Sequence, residues 1–151
     1  MWQKLLATRN SFPLGLVRLV LGVVMFAHGA QKMLGWFGGY GITGTMGFFS
    51  QLGIPAPFGY LAIAAEFFGG LGLILGFLSR IAAFGVLCNM VVAVLTVHIH
   101  LGFFMNWGGT NKGEGFEYHL LAIAIALAVM IAGGGRPSVD HMLSATGSPP
   151  A

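Results

Sequence analysis

At 151 residues the chain has the length of one domain, but charged side chains make up only 7% of it and hydrophobic ones 56%. A soluble chain carries about 25% charged residues, so the composition, with a mean hydropathy of +0.85, excludes a water-soluble globule and fits a bilayer as solvent. The net charge of +3 comes from seven basic residues scattered as Lys4, Arg9, Arg18, Lys32, Arg80, Lys112 and Arg136; with no basic patch, nucleic acid is not an expected partner.

The first predicted element is an apolar stretch at 14–34, preceded by Pro13, which suits the first turn of a helix. Lys4 and Arg9 before it, and Ala27-His28-Gly29 within it, loosely imitate a signal peptide. Arg18 interrupts that reading, and removing the helix would leave an odd number of spans. Residues 35–41 form a loop rich in glycine and aromatics, with Trp36 suited to the interfacial aromatic belt. Met46, Phe49 and Leu52 then recur at near-helical spacing, which predicts a short helix on the outer membrane surface.

Further apolar stretches follow at 56–78, 81–101 and 118–132, close to the roughly 20 residues that a helix needs to cross a hydrocarbon core, although the last is short and could tilt little. Pro55 and Pro57 open the second, only Ser79 and Arg80 separate it from the third, and Gly133, Gly134, Gly135 and Pro137 close the fourth. The expected fold is therefore all-α: a polytopic membrane protein, a bundle of four transmembrane helices spanning one domain, with the short outer-surface helix between the first and second. If the spans alternate, Lys4, Arg9, Arg80 and Arg136 share one side, and the positive-inside rule places that side and both termini in the cytoplasm. The single cysteine, Cys88, excludes an internal disulfide or C-x-x-C pair and reads as a small buried apolar residue.

Ionisable residues inside spans cost roughly 2.5–3.5 kcal/mol each at the bilayer centre and so demand a partner or a purpose. Arg18, near the start of the first span, is expected to snorkel to the headgroups as a structural residue. Glu66 lies halfway along the second span, about 18 Å from its cytoplasmic end, with His28 and His98 at about 22 and 25 Å in theirs. It must face the interior. His28 and Lys32 share a helix face four residues apart, whereas His98 and His100 are about 200° apart, so one face cannot carry both. Glu117 and His119, at the outer start of the fourth span, complete a ring of polar groups, and Asn89 is expected to glue helices by a hydrogen bond.

Two readings of this ring stand side by side. One is a buried network that fixes packing; the other is a polar pocket in which His28, Lys32, Glu66, His98 and Glu117 bind a ligand or relay protons, suited to quinone oxygens. A haem held by His28 and His98 is set aside, because two histidines on separate helices arise readily by chance. No Glu-x-x-His pair lies within a span to form a di-metal site, so no metal is expected.

Arg18-Leu19-x-Leu21-Gly22, Ala27-His28-Gly29-x-Gln31-Lys32, Gly35-Trp36-Phe37-Gly38-Gly39, Gly53-Ile54-Pro55, Ala64-x-Glu66-Phe67-x-Gly69-Gly70 and the closing Gly135-Arg136-Pro137-Ser138-Val139-Asp140 together resemble the DoxX family over roughly residues 13–142. The resemblance implies a four-helix inner-membrane protein associated with oxidoreductase function. Relatives occur in thiosulfate:quinone oxidoreductase and in membrane complexes that answer oxidative and thiol stress, acting alongside partner proteins. It assigns no catalytic residue.

The expected function is thus a redox-associated, multi-pass inner-membrane subunit that binds quinone or a similar apolar molecule, with no covalently bound cofactor. The alternatives are a scaffold recruiting soluble redox enzymes through its cytoplasmic ends and, less supported, a small transporter, which would require a homo-oligomer. Beyond the lipid bilayer, soluble redox enzymes are the expected partners.

Overall fold

The computed structural model describes residues 2–146, and every regular element among them is helical. In chain order these are α1 (Trp2–Leu6), α2 (Phe12–Leu34), a 3-10 turn at Trp36–Gly38, α3 (Gly41–Gln51), α4 (Ala56–Leu75), α5 (Ser79–Thr96), a 3-10 turn at His98–Leu101, α6 (Glu117–Ala132) and α7 (Val139–Thr146). Local chemistry sets the boundaries of α2. The Ser11 hydroxyl accepts from the Leu14 amide, Pro13 fills the first turn, and Gly35 closes the helix at φ +72 with its amide donating to the Ala30 carbonyl.

The expected count of four spans is not met. Among the described residues three helices, α2, α4 and α5, are long and apolar enough to cross a membrane, with 23, 20 and 18 residues. The fourth apolar helix, α6, has 16 residues and rises about 24 Å, short of a hydrocarbon core of about 30 Å. Its ends are set by Glu117 and by Gly133, at φ +86. The other boundaries also move. α4 stops at Leu75 rather than 78, because Gly76 and Leu78 both adopt left-handed backbone, and Ser79 and Arg80 form the first turn of α5 instead of a loop. The helix predicted at 81–101 breaks at Val97 (φ −126, ψ −59), which places His98 in a 3-10 turn.

Glycines allow α2 and α4 to meet backbone to backbone. A Cβ placed on Gly22 would lie 2.7 Å from the Ile74 amide nitrogen, one on Gly29 2.7 Å from the Glu66 carbonyl carbon, and one on Gly70 2.7 Å from the Phe26 Cα. Close approach of this kind is how helices pack in lipid, where no hydrophobic drive exists between them. α5 pairs with α4 and α6, and α6 also touches α2, enclosing a core of Leu21, Met25, Leu73, Ala83, Val86, Met90, Ala122, Ala126 and Val129. Large apolar side chains such as Val20, Val23, Phe68, Leu121 and Ile131 face outward, as lipid-facing positions do. The short helix predicted from Met46, Phe49 and Leu52 exists as α3, and it packs on α2 and α4 with Thr45 buried and Met46 and Phe49 against Gly59.

One end of the bundle is closed by polar side chains. Arg18 does not snorkel: it is 2% exposed. Its Nε donates to the Gly134 carbonyl (2.7 Å), Nη1 to the carbonyls of Leu73 and Ile74, and Nη2 to that of Pro137. The guanidinium fork thereby adds donors to the last carbonyls of α4, where that of Leu73 also accepts from the Gly76 amide at 3.3 Å. Asp140, 1% exposed, accepts from the amides of Leu78 and Ser79 at 2.8 Å each and so caps the start of α5. Arg80 ties this end to the N-terminal segment by donating to the carbonyl of Ala7, and to the end of α6 by donating to those of Met130 and Ile131. The α1 and α7 segments, in contact with each other, lie at this closed end.

Candidate functional site

The opposite half of the bundle holds the intramembrane acid. Glu66, 3% exposed, has both oxygens engaged: Oε2 forms an ion pair with Lys32 Nζ, and Oε1 accepts from Asn89 Nδ2 at 2.7 Å. The contact of Gly29 with the backbone of Glu66 and Phe67 holds α2 close enough for Lys32, one turn above, to reach the carboxylate. Asn89 does join two helices by a hydrogen bond, but its partner is Glu66 itself. A carboxylate in hydrocarbon is tolerated only with such partners.

These groups line a cavity of about 780 Å³, within the range of small-molecule sites. His28, Lys32, Glu66, Asn89, His98, Tyr118 and His119 supply polar atoms; Met25, Phe48, Phe49, Leu52, Ile54, Phe58, Leu61 and Met90 supply much of the apolar wall. The ring of His28 lies 6.1 Å from that of Tyr118. His98 stacks on His119 with ring centroids 4.0 Å apart, and its Nδ1 lies 2.8 Å from the Glu114 carbonyl oxygen. His100, on the same 3-10 turn, is exposed and outside the cavity.

Glu117 is not brought into this group. Its Oε1 accepts from the Met105 amide at 2.8 Å, while Glu114 Oε2 accepts from the Asn106 amide at 2.6 Å. Together with backbone bonds from Gly115, Phe116 and Glu117 to the carbonyls of Phe104, Gly102 and Phe103, these carboxylates order the loop before α6. Cys88 is not buried but exposed, at the edge of the cavity.

The structure adds Tyr118, which sequence reasoning passes over because a tyrosine at a span end reads as an interfacial anchor. Its hydroxyl and the Nδ1 of His119, a residue only 6% exposed, are buried atoms without a hydrogen-bond partner. Such atoms are rare in folded proteins and call for a ligand or water. The paired carboxylate, the imidazoles and the phenol together make an apolar chamber able to hydrogen-bond an oxygen-bearing molecule. Among the described residues no three His, Cys, Asp or Glu side chains group to hold a metal ion.

Three apolar helices of membrane-spanning length, a bridging fourth helix and a cavity walled by them define a polytopic membrane protein with a chamber of small-molecule size. More particularly, the chain belongs to the DoxX family, whose model matches residues 14–99, a segment that contains Arg18, His28, Lys32, Glu66, Asn89 and His98. It is similar to a Bacillus subtilis (strain 168) protein named "Putative oxidoreductase CatD", 31% identical over 80% of this chain and 81% of that one. It is also similar to the "Uncharacterized membrane protein Rv3486" of Mycobacterium tuberculosis (strain ATCC 25618 / H37Rv), 30% identical over 95% of this chain and 88% of that one. No solved structure matches the chain significantly. The protein is thus a multi-pass membrane protein of a family with oxidoreductase associations.

Proposed function

We propose that this protein is a redox-associated membrane subunit that binds quinone, or a similar apolar oxygen-bearing molecule, in the cavity beside Glu66. The observation that carries the reading is a buried, fully paired carboxylate set in the wall of a largely apolar chamber of about 780 Å³. A network that served packing alone would need no chamber next to it. Glu66 and His28 are the principal polar contacts in this reading, Lys32 acts electrostatically, and His98 holds His119 in place by stacking.

The name of the Bacillus subtilis relative agrees with a redox role. The chain has no nucleotide-binding motif and no cysteine pair, which suits electron supply by soluble redox enzymes, and a role in oxidative or thiol stress is what the family resemblance implies. Lys4, Arg9, Arg80 and Arg136 lie at or near the closed end, which this reading places in the cytoplasm of an inner membrane. The scaffold alternative draws less support, because the guanidinium of Arg80, one of its candidate contacts, is half-buried and occupied by internal carbonyls.

The test is decylubiquinone binding to the purified full chain, compared with Glu66→Gln and His28→Ala. Each variant is expected to weaken binding about tenfold or more, the worth of one hydrogen bond to a charged or buried group. Unchanged binding in both would remove the site.

A further inference from the structure

The cavity has a side as well as an interior. Between α4 and α5 its lining continues through Leu61 and Ala65 on one helix and Phe84, Gly85 and Cys88 on the other. Here the two helices approach through small residues: a Cβ on Gly85 would lie 3.3 Å from that of Ala65. Leu61 is 63% exposed, Phe84 55%, and Cys88 is exposed too. Ala65 and Gly85 thus form the floor of a groove walled by outward-facing apolar side chains, on a surface that lies within the membrane-spanning lengths of both helices. No charged residue lines this stretch. Its exposure is to acyl chains rather than to water.

The inner end of the same cavity carries the opposite chemistry. His119, nine-tenths buried, and Tyr118 line this end, and the His119 Nδ1 and the Tyr118 hydroxyl are buried atoms with no hydrogen-bond partner in the protein. Two polar atoms without partners at one end and an apolar groove opening into lipid at the other describe an amphipathic occupant.

We infer that the cavity takes a bilayer-resident molecule with an oxygen-bearing head and a long apolar tail, the head reaching Tyr118 and His119 in addition to Glu66 and His28 and the tail leaving between α4 and α5 over Ala65 and Gly85. This deepens the proposed function, on which it rests, by naming the class: a tailed quinone rather than a small soluble one, entering sideways from the membrane. Tyr118 becomes a specificity residue of the site.

The experiment uses a ubiquinone analogue with a photoreactive diazirine at the end of a ten-carbon tail, irradiated with the full chain in phosphatidylcholine vesicles, followed by mapping of the labelled peptides. The expected result is labelling within residues 61–65 and 84–88 that excess decylubiquinone abolishes and the tailless duroquinone abolishes only at much higher concentration. Cys88→Trp, at an exposed position where folding is not at risk, should reduce the labelling about tenfold by filling the groove, and Tyr118→Phe should weaken decylubiquinone competition about tenfold. Competable labelling confined to α2, α3 or α6 would overturn the tail path while leaving quinone binding in place. Labelling that decylubiquinone does not displace would overturn both. If a diazirine-tailed phosphatidylcholine labels the same residues and decylubiquinone fails to displace it, the groove belongs to phospholipid and the quinone head assignment is wrong.

Discussion

The Lys32–Glu66 pair gives the sharpest energetic prediction, through a double-mutant cycle of Lys32→Met and Glu66→Gln. Lys32→Met leaves a carboxylate whose side chain is 4% exposed with Asn89 as its remaining side-chain donor. Breaking a buried pair costs about 3–5 kcal/mol. Lys32 keeps 29% exposure, where water screens the attraction, so the expected loss lies near about 3 kcal/mol. Glu66→Gln retains an acceptor for Asn89 and strands an ammonium that water can reach, for about 1–2 kcal/mol. The double variant strands no charge and should cost only about 1 kcal/mol, so the coupling comes to about 3–4 kcal/mol. Unfolding of the four proteins by increasing SDS in mixed micelles, followed by loss of helical circular dichroism, measures it. Additivity within about 0.5 kcal/mol would refute the view that the pair is desolvated and mutually dependent. The same four proteins separate glue from binding site: a double variant that regains stability without regaining decylubiquinone binding places the pair at the ligand.

At the closed end, Arg18→Met should destabilise the fold by about 3 kcal/mol or more, since it strips donors from the carbonyls of Leu73, Ile74, Gly134 and Pro137 in a dry site. Arg18→Lys should recover little of that loss, because a point ammonium cannot span acceptors on α4 and on the segment before α7; recovery of wild-type thermal stability by Lys would contradict the fork geometry. Asp140→Asn keeps one acceptor and loses the other, so a loss of about 1–2 kcal/mol is expected in the same assay. Gly29→Val, which would drive a side chain into the backbone of Glu66 and Phe67, should yield no stable monodisperse protein on gel filtration. A well-folded Gly29→Val protein would show that α2 and α4 are not in contact there.

Some of this architecture is plain in the chain itself. Membrane residence follows from composition, because 7% charge cannot solvate a folded surface. Helix type and approximate position follow from apolar length and from Pro13, Gly35 and Gly133, whose backbone preferences act locally. The importance of Glu66 follows from the cost of a charge at mid-span, wherever its partners lie. His28 and Lys32 are joined by helical periodicity alone.

What sequence could not decide depends on where separate segments meet. The apolar run at 118–132 is short in the sequence already, but only the structure shows that the helix holding it starts at Glu117 and ends at Ala132, without extending over the neighbouring loops to a full crossing length. Arg18 looks able to snorkel until Gly134 and Pro137, more than a hundred residues away, fold over it with carbonyls to offer. Glu117 and His119 are neighbours in the chain, yet a loop amide claims one and the cavity claims the other. Asn89 finds Glu66 only because α4 and α5 return against each other. Solvent and local backbone preference, which act along the chain, determined the membrane and the helices. The pairing of buried polar atoms acts across space, and only the tertiary structure decided which of them are satisfied by the protein and which, at Ser79 as well as at the cavity-lining Tyr118 and His119, are left without a partner.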